Sequence, residues 1–110
     1  MPNQNIQVDR VFHALGDPTR RAVVGRLSAG PAAVSELKSG IDMALPSFTQ
    51  HLGVLEKCGL VKSKKSGRIR TYYLIPQPLK AAETWMSEQR KLWEKRLDQL
   101  DNYLLSIKEK

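Results

Sequence analysis

Apolar residues fall at helical spacing in four stretches, then alternate, then return to helical spacing for the rest of the chain. Val8, Val11, Phe12 and Leu15 recur at three- and four-residue intervals and stop at Gly16, predicting an amphipathic helix over about residues 5–15. Asp17-Pro18 marks a second start: Asp as an N-cap accepting orphan amide protons, Pro at the first helical position, where its missing N–H costs nothing. That helix carries Ala22, Val23, Val24 and Leu27 and ends at Ser28-Ala29-Gly30-Pro31. Val34, Leu37 and Ile41 mark a short third helix, capped by Ser35 or a nearby backbone group and closed at Ser39-Gly40.

The fourth helix starts at Leu45, with Pro46 in its first turn. Leu45, Phe48, Leu52 and Leu55 form one stripe predicted to face the core. By the same period Ser47, Gln50, His51 and Val54 fall on an outward stripe, so three hydrogen-bonding side chains share a compact polar face. Gly59 ends the helix, as a left-handed C-terminal residue does. A strand from Leu60 to Lys64, a Ser66-Gly67 turn and a second strand from Ile69 to Ile75 then predict a hairpin with a basic tip.

Beyond Pro76 and Pro78 the segment Leu79 to about Ile107 contains no Gly or Pro. Leu79, Ala82, Met86, Gln89, Trp93, Arg96, Leu100, Tyr103 and Ile107 repeat at three-four spacing, widened by Trp85, Leu92, Leu97 and Leu104. A helix of about 30 residues is roughly 45 Å long, more than so small a domain covers alone. A second copy of the chain is the expected cover. Across that two-fold axis the stripe and the first helix would meet their counterparts through Val8, Phe12, Trp85, Met86, Gln89, Trp93, Leu97, Leu100 and Leu104.

The fold class is therefore mainly α with a two-stranded β wing: a winged helix-turn-helix with a long C-terminal dimerisation helix. One domain spans residues 1–110, divided into an N-terminal helix (1–16), a helix-turn-helix plus wing (17–75) and a C-terminal helix (76–110). In such a fold the second helix of the motif lies in the DNA major groove and the wing follows the backbone or enters the minor groove.

Charge sharpens that expectation. The 110 residues hold 18 Lys and Arg against 11 Asp and Glu, a net +7. Residues 1–75 carry 11 basic and 5 acidic side chains, residues 76–110 carry 7 and 6. Lys57 to Arg70 contains six cations and no carboxylate, the electrostatic footprint of a polyanion site. Gln50 can pair bidentately with adenine and Ser47 can bond base or phosphate. Lys64, Lys65, Arg68 and Arg70 supply affinity without sequence information. Arg68, after the turn glycine, is either a minor-groove contact or a solvated charge. The expected partner is double-stranded DNA.

The stretches HALGDPTRRAVVGRL and VSELKSGIDMALPSFTQHLGVLEKCGLVKSKKSGRIRTYYLIPQPL resemble the ArsR/SmtB family of bacterial winged-helix repressors over about residues 10–80. The tail WMSEQRKLWEKRLDQLDNYL is similar to that of a branch whose members lack metal sites. This resemblance implies a homodimeric DNA-binding transcriptional regulator, usually a repressor on an inverted repeat in its own or a neighbouring promoter. It places the recognition positions on Ser47, Thr49, Gln50 and His51, and the wing positions on Lys65, Arg68 and Arg70. Thr49 stands where the family more often has Ser, and Ala44 where it often has a capping Ser.

Metal sensing in the family uses cysteines in the short helix or Asp and His on the last helix. Here the short helix reads VSELKSGI and the last helix holds no His. His13 has no partner ligand at i±3 or i±4, and the single Cys58 reads as a small hydrophobe at the end of the recognition helix. No cofactor or metal is expected, and no catalytic constellation is present. Arg20 and Arg21 either bind phosphate near a helix N-terminus or pair with carboxylates of the same domain. With no apolar run of membrane-spanning length, no signal-like start and one cysteine, a cytoplasmic location is expected. Two rival readings use the same residues differently: a ligand-gated regulator with a pocket at Trp85 and Trp93, or a protein-interaction adaptor on a winged fold.

Overall fold

The computed structural model describes residues 3–108, with side chains from Ile6 to Lys108. In chain order they form α1 (Asn3–Leu15), α2 (Pro18–Leu27), β1 (Ala32–Ala33), α3 (Val34–Lys38), α4 (Leu45–Lys57), β2 (Val61–Ser66), β3 (Ile69–Leu74) and α5 (Pro76–Lys108). This is a mostly helical winged helix-turn-helix with a small antiparallel sheet and a long last helix. The sheet has three strands in the order β1-β3-β2, one more than the hairpin expected. The extra strand is only Ala32–Ala33, pairing with Tyr72 and Thr71 of β3. It ties the entrance of the helix-turn-helix to the root of the wing.

Local chemistry explains the boundaries. Asp17 caps α2, its carboxylate accepting from the Arg20 N–H at 3.1 Å, with Pro18 at the first helical position. The cap of α3 is not Ser35: the Ala33 N–H donates to Glu36 Oε1 at 2.9 Å, and Ser35 already lies inside the helix. At the end of α4, Gly59 takes φ +81°, while Leu60 N–H reaches Leu55 O and Gly59 N–H reaches Glu56 O. That pair of bonds is a Schellman motif, and its apolar partners Leu55 and Leu60 are both fully buried. The wing turns at Gly67-Arg68, one residue later than expected, because Ser66 pairs with Ile69. Gly67 holds φ +63° at the first position of this two-residue loop, as a II′ turn requires. Pro76 and Pro78 fall in the first turn of α5, not ahead of it.

The core gathers Val11, Ala14, Val23, Leu27, Leu37, Phe48, Leu52, Leu55, Leu60, Val61, Tyr72 and Ala82, drawn from every helix and both wing strands. Val8, expected at a dimer seam, is already buried within the chain. Leu45, expected in the core stripe, is 54% exposed, because the first residue of α4 overhangs the packed face. The molecule measures 74 × 35 × 22 Å, with a radius of gyration of 19.8 Å. A compact chain of this length has about 13 Å. The difference is α5: its start packs on α1, but every residue from Arg90 to Lys108 is exposed.

Candidate nucleic-acid interface

Helix α4 is seated by Phe48, Leu52 and Leu55, which leaves its opposite side to solvent. Ser47, Thr49 and Gln50 are exposed there, whereas His51 and Val54 are half-buried. The Thr49 hydroxyl donates to the Leu45 carbonyl at 2.9 Å, so toward a ligand it offers a methyl group and acceptor lone pairs. Gln50 makes no side-chain hydrogen bond among the described residues and presents both donor and acceptor.

The wing places its cations by register. Lys65 lies directly opposite Arg70, and Lys64 opposite Thr71 on the other face. Like charges facing each other across a strand pair are unfavourable in the free protein. An anion arriving there would relieve that repulsion. Arg70 is steadied from below, donating to Ser63 Oγ at 2.8 Å, and Arg68 stands in the turn itself. Between wing and helix-turn-helix lies an open hollow of about 610 Å³, bordered by Ser35, Lys38, Leu45, Arg68, Ile69 and Arg70. Lys38 thus joins the wing cations, although sequence reasoning passed over it. Its position in the last turn of the motif's first helix, the element that crosses the DNA backbone, was the available signal.

Behind α4 sits a polar cluster that ties it to α1 and α2. Arg20 donates through Nε to the Ala14 carbonyl at 2.7 Å and through Nη2 to the His13 carbonyl at 3.2 Å, and its Nη1 stands 3.1 Å from His51 Nδ1. Arg21 donates to the Leu15 carbonyl at 2.7 Å. Both arginines therefore satisfy the carbonyls that end α1, an outcome neither sequence-level alternative included. The Arg20 backbone N–H holds the Asp17 carboxyl below the usual carboxylate range; burial opposes it, and His51 in its protonated form, the Thr19 N–H and the charge of Arg20 assist.

A carboxyl whose folded value is depressed stabilises the fold above its unfolded value, about 3.9, and loses that contribution as pH falls through the folded one. Asp17→Ala is accordingly expected to lower the melting temperature by a few degrees at pH 7. The gap should narrow as the pH falls below about 4 and through the lower folded value, whereas Asp17→Asn, still a good N-cap, should lose less at pH 7. Thermal melts across that range check both, and a gap independent of pH would contradict the assignment.

The predicted dimer residues divide. Phe12 and Trp85 meet edge to face within one chain, with centroids 5.7 Å apart and planes at 72°, yet each remains 41% exposed. Met86, Trp93, Leu97, Leu100 and Leu104 are exposed along α5, and Gln89 is half-buried. Gln89, Leu92, Trp93, Arg96, Leu97 and Leu100 border a shallow hollow of about 390 Å³ on the side of this single helix. Cys58 is half-buried at the end of α4. Among the described residues no group of three or more His, Cys, Asp or Glu side chains is placed to hold a metal ion. No described helix is long and apolar enough to cross a membrane.

A family profile described as a helix-turn-helix domain matches residues 15–64, from the end of α1 to the wing. The chain is 45% identical over 76 residues to an HTH-type transcriptional regulator of Mycobacterium tuberculosis, covering 69% of this chain and 71% of the relative. A crystal structure of an ArsR family transcriptional regulator superimposes with a TM-score of 0.75 at 53% identity, over 80% of this chain and 91% of that one. This chain belongs to the ArsR family. It is a DNA-binding transcriptional regulator. A structural neighbour from Mycobacterium bovis is described as a homodimeric winged helix-turn-helix DNA-binding domain and possible ArsR-family regulator. It has a TM-score of 0.61 at 25% identity, over 78% of this chain and 82% of that one.

Proposed function

We propose that this ArsR protein is a homodimeric repressor that binds an inverted-repeat operator, in its own or a neighbouring promoter, without a metal signal. The observation that carries the reading is the pairing of a donor-acceptor face on a rigidly seated α4 with a wing whose cations Lys65 and Arg70 oppose each other and lack any carboxylate partner among the described residues. Ser47, Thr49, Gln50 and His51 face the bases; Lys65, Arg68 and Arg70 bind the backbone, with Lys38 beside them. The exposed stripe of α5, together with Phe12, Trp85 and Met86, supports a two-fold partner, as does the homodimeric neighbour from M. bovis. Two-fold symmetry sets the recognition helices about 34–36 Å apart, one turn of DNA, so a palindromic site matches the protein. The bound dimer then occludes polymerase. The donor set for a metal signal is missing from both family positions: α3 has no Cys and α5 no His.

Sequencing DNA fragments selected by the purified protein tests the reading and yields the operator. On that operator Gln50→Ala is expected to cost about 1–3 kcal/mol and to relax base preference at one position per half-site. Arg68→Ala should weaken all sequences alike and reduce the salt dependence. Unchanged preference in Gln50→Ala would remove Gln50 from the reading face, and failure to select any DNA would reject the function.

A further inference from the structure

The hydrogen-bonding sense of His51 is decided inside the protein. Its Nδ1 lies 3.1 Å from Nη1 of Arg20, and a guanidinium offers only N–H groups. The contact is a hydrogen bond only with Nδ1 as acceptor, which leaves the ring neutral with its proton on Nε2. The competing partner, the Asp17 carboxylate, stands 3.6 Å from the same nitrogen, beyond hydrogen-bond reach. Arg20 is held in this pose by the carbonyls of Ala14 and His13, and Asp17 by the Arg20 backbone N–H. Only 21% of the His51 side chain is exposed. No buried side-chain nitrogen or oxygen among the described residues lacks a partner, so Nε2, which has no protein partner among them, reaches the surface.

We propose that Arg20 is a positioning residue that locks His51 as the Nε2–H tautomer, so that α4 presents a fixed donor to an acceptor on a base edge in the major groove. The inference rests on the assignment of α4 as the reading helix. A lone donor there is met by N7 of guanine or adenine, O6 of guanine or O4 of thymine, whereas cytosine presents an amino group. His51 therefore rejects cytosine at the base it contacts. Gln50 beside it, able to donate and accept, does not read in this one-sided way.

The tautomer is measured directly in the free full-length chain from histidine ring 15N shifts at about pH 8, where an ordinary imidazole is neutral. A protonated Nε2 and bare Nδ1 are expected; the reverse overturns the proposal. The DNA arm compares wild type, His51→Gln and His51→Asn on duplexes carrying each base at each position of the selected operator. Gln places an amide nitrogen near the site of Nε2, Asn near that of Nδ1. His51→Gln should stay within about threefold of wild type on the preferred base but relax the rejection of cytosine, because its amide can also accept; His51→Asn should lose about tenfold and that rejection. Equal base preference in wild type and His51→Asn overturns the proposal while DNA binding stands. A protein that selects no DNA removes the assignment of α4 and the proposal with it. If His51→Asn does not fold, Arg20→Lys, which keeps charge but not the fork, replaces it. Arg20→Lys should raise the Nδ1–H fraction and weaken cytosine rejection, and no change in either overturns the proposal.

Discussion

Leu100→Asp is expected to leave a folded monomer that has lost about 100-fold or more of its operator affinity. Leu100 is 49% exposed in the single chain and lies on the free half of α5, so an aspartate there touches no core residue and should not lower helix content. In a two-fold pair the same position places two carboxylates within an apolar seam, where desolvating unpaired charge is costly. Met86, Trp93, Leu100 and Ile107 recur every seven residues, so Leu100 sits centrally on the stripe. The affinity loss follows from avidity: joining two half-site readers makes the second contact intramolecular, worth about 10²–10⁴ in affinity. Asn102→Asp supplies the control, since residue 102 lies about 200° around the helix from residue 100. Sedimentation at micromolar concentration should find Leu100→Asp monomeric and Asn102→Asp unchanged. A dimeric Leu100→Asp protein that binds the operator normally would remove this stripe from the mechanism.

Phe48→Ala is expected to cost about 3–5 kcal/mol of folding stability, a large share of what a small domain holds. Phe48 is fully buried among residues contributed by the other helices and the wing, leaving no open route for neighbours to collapse into the space. Because Phe48 lies on the inward side of α4, its loss also loosens the seat that aims Gln50 and His51. Operator DNA should recover part of the stability by mass action, since only the folded chain reads the site. Urea unfolding with and without the duplex measures both effects. A loss below about 1 kcal/mol would contradict the packing described.

What could be read in advance was local chemistry. Asp17-Pro18 and Gly59 set their boundaries through backbone groups within four residues, so sequence alone contains the cause. The α5 stripe was equally legible, because a period sustained from Leu79 to Ile107 outweighs any single ambiguous residue. Two alanines carry no strand signal, and Ala32–Ala33 becomes β1 only because Tyr72 and Thr71 arrive beside it. Leu45 fits the period of its helix, but period cannot tell that the first turn overhangs. The wing turn slipped by one residue because the strand register, not the Ser-Gly pair, decides which two residues remain unpaired. Arg20 and His51 are 31 residues apart, and nothing in either neighbourhood announces the other. The one available hint was geometric: a side chain near a helix start leans back past its N-terminus, which here means toward the carbonyls ending α1.

The bare outer half of α5 also shapes how repression would respond to the amount of protein made. On the proposed dimeric reading, a protomer with so much uncovered apolar surface and only half an operator's worth of reading groups would be inactive alone. Below the dissociation constant of the pair, the concentration of active protein rises with the square of the concentration synthesised. Operator occupancy then climbs steeply through a threshold, and a modest change in expression or proteolysis switches the promoter. A gene controlled this way can be gated by dose, with no small molecule needed to supply the signal.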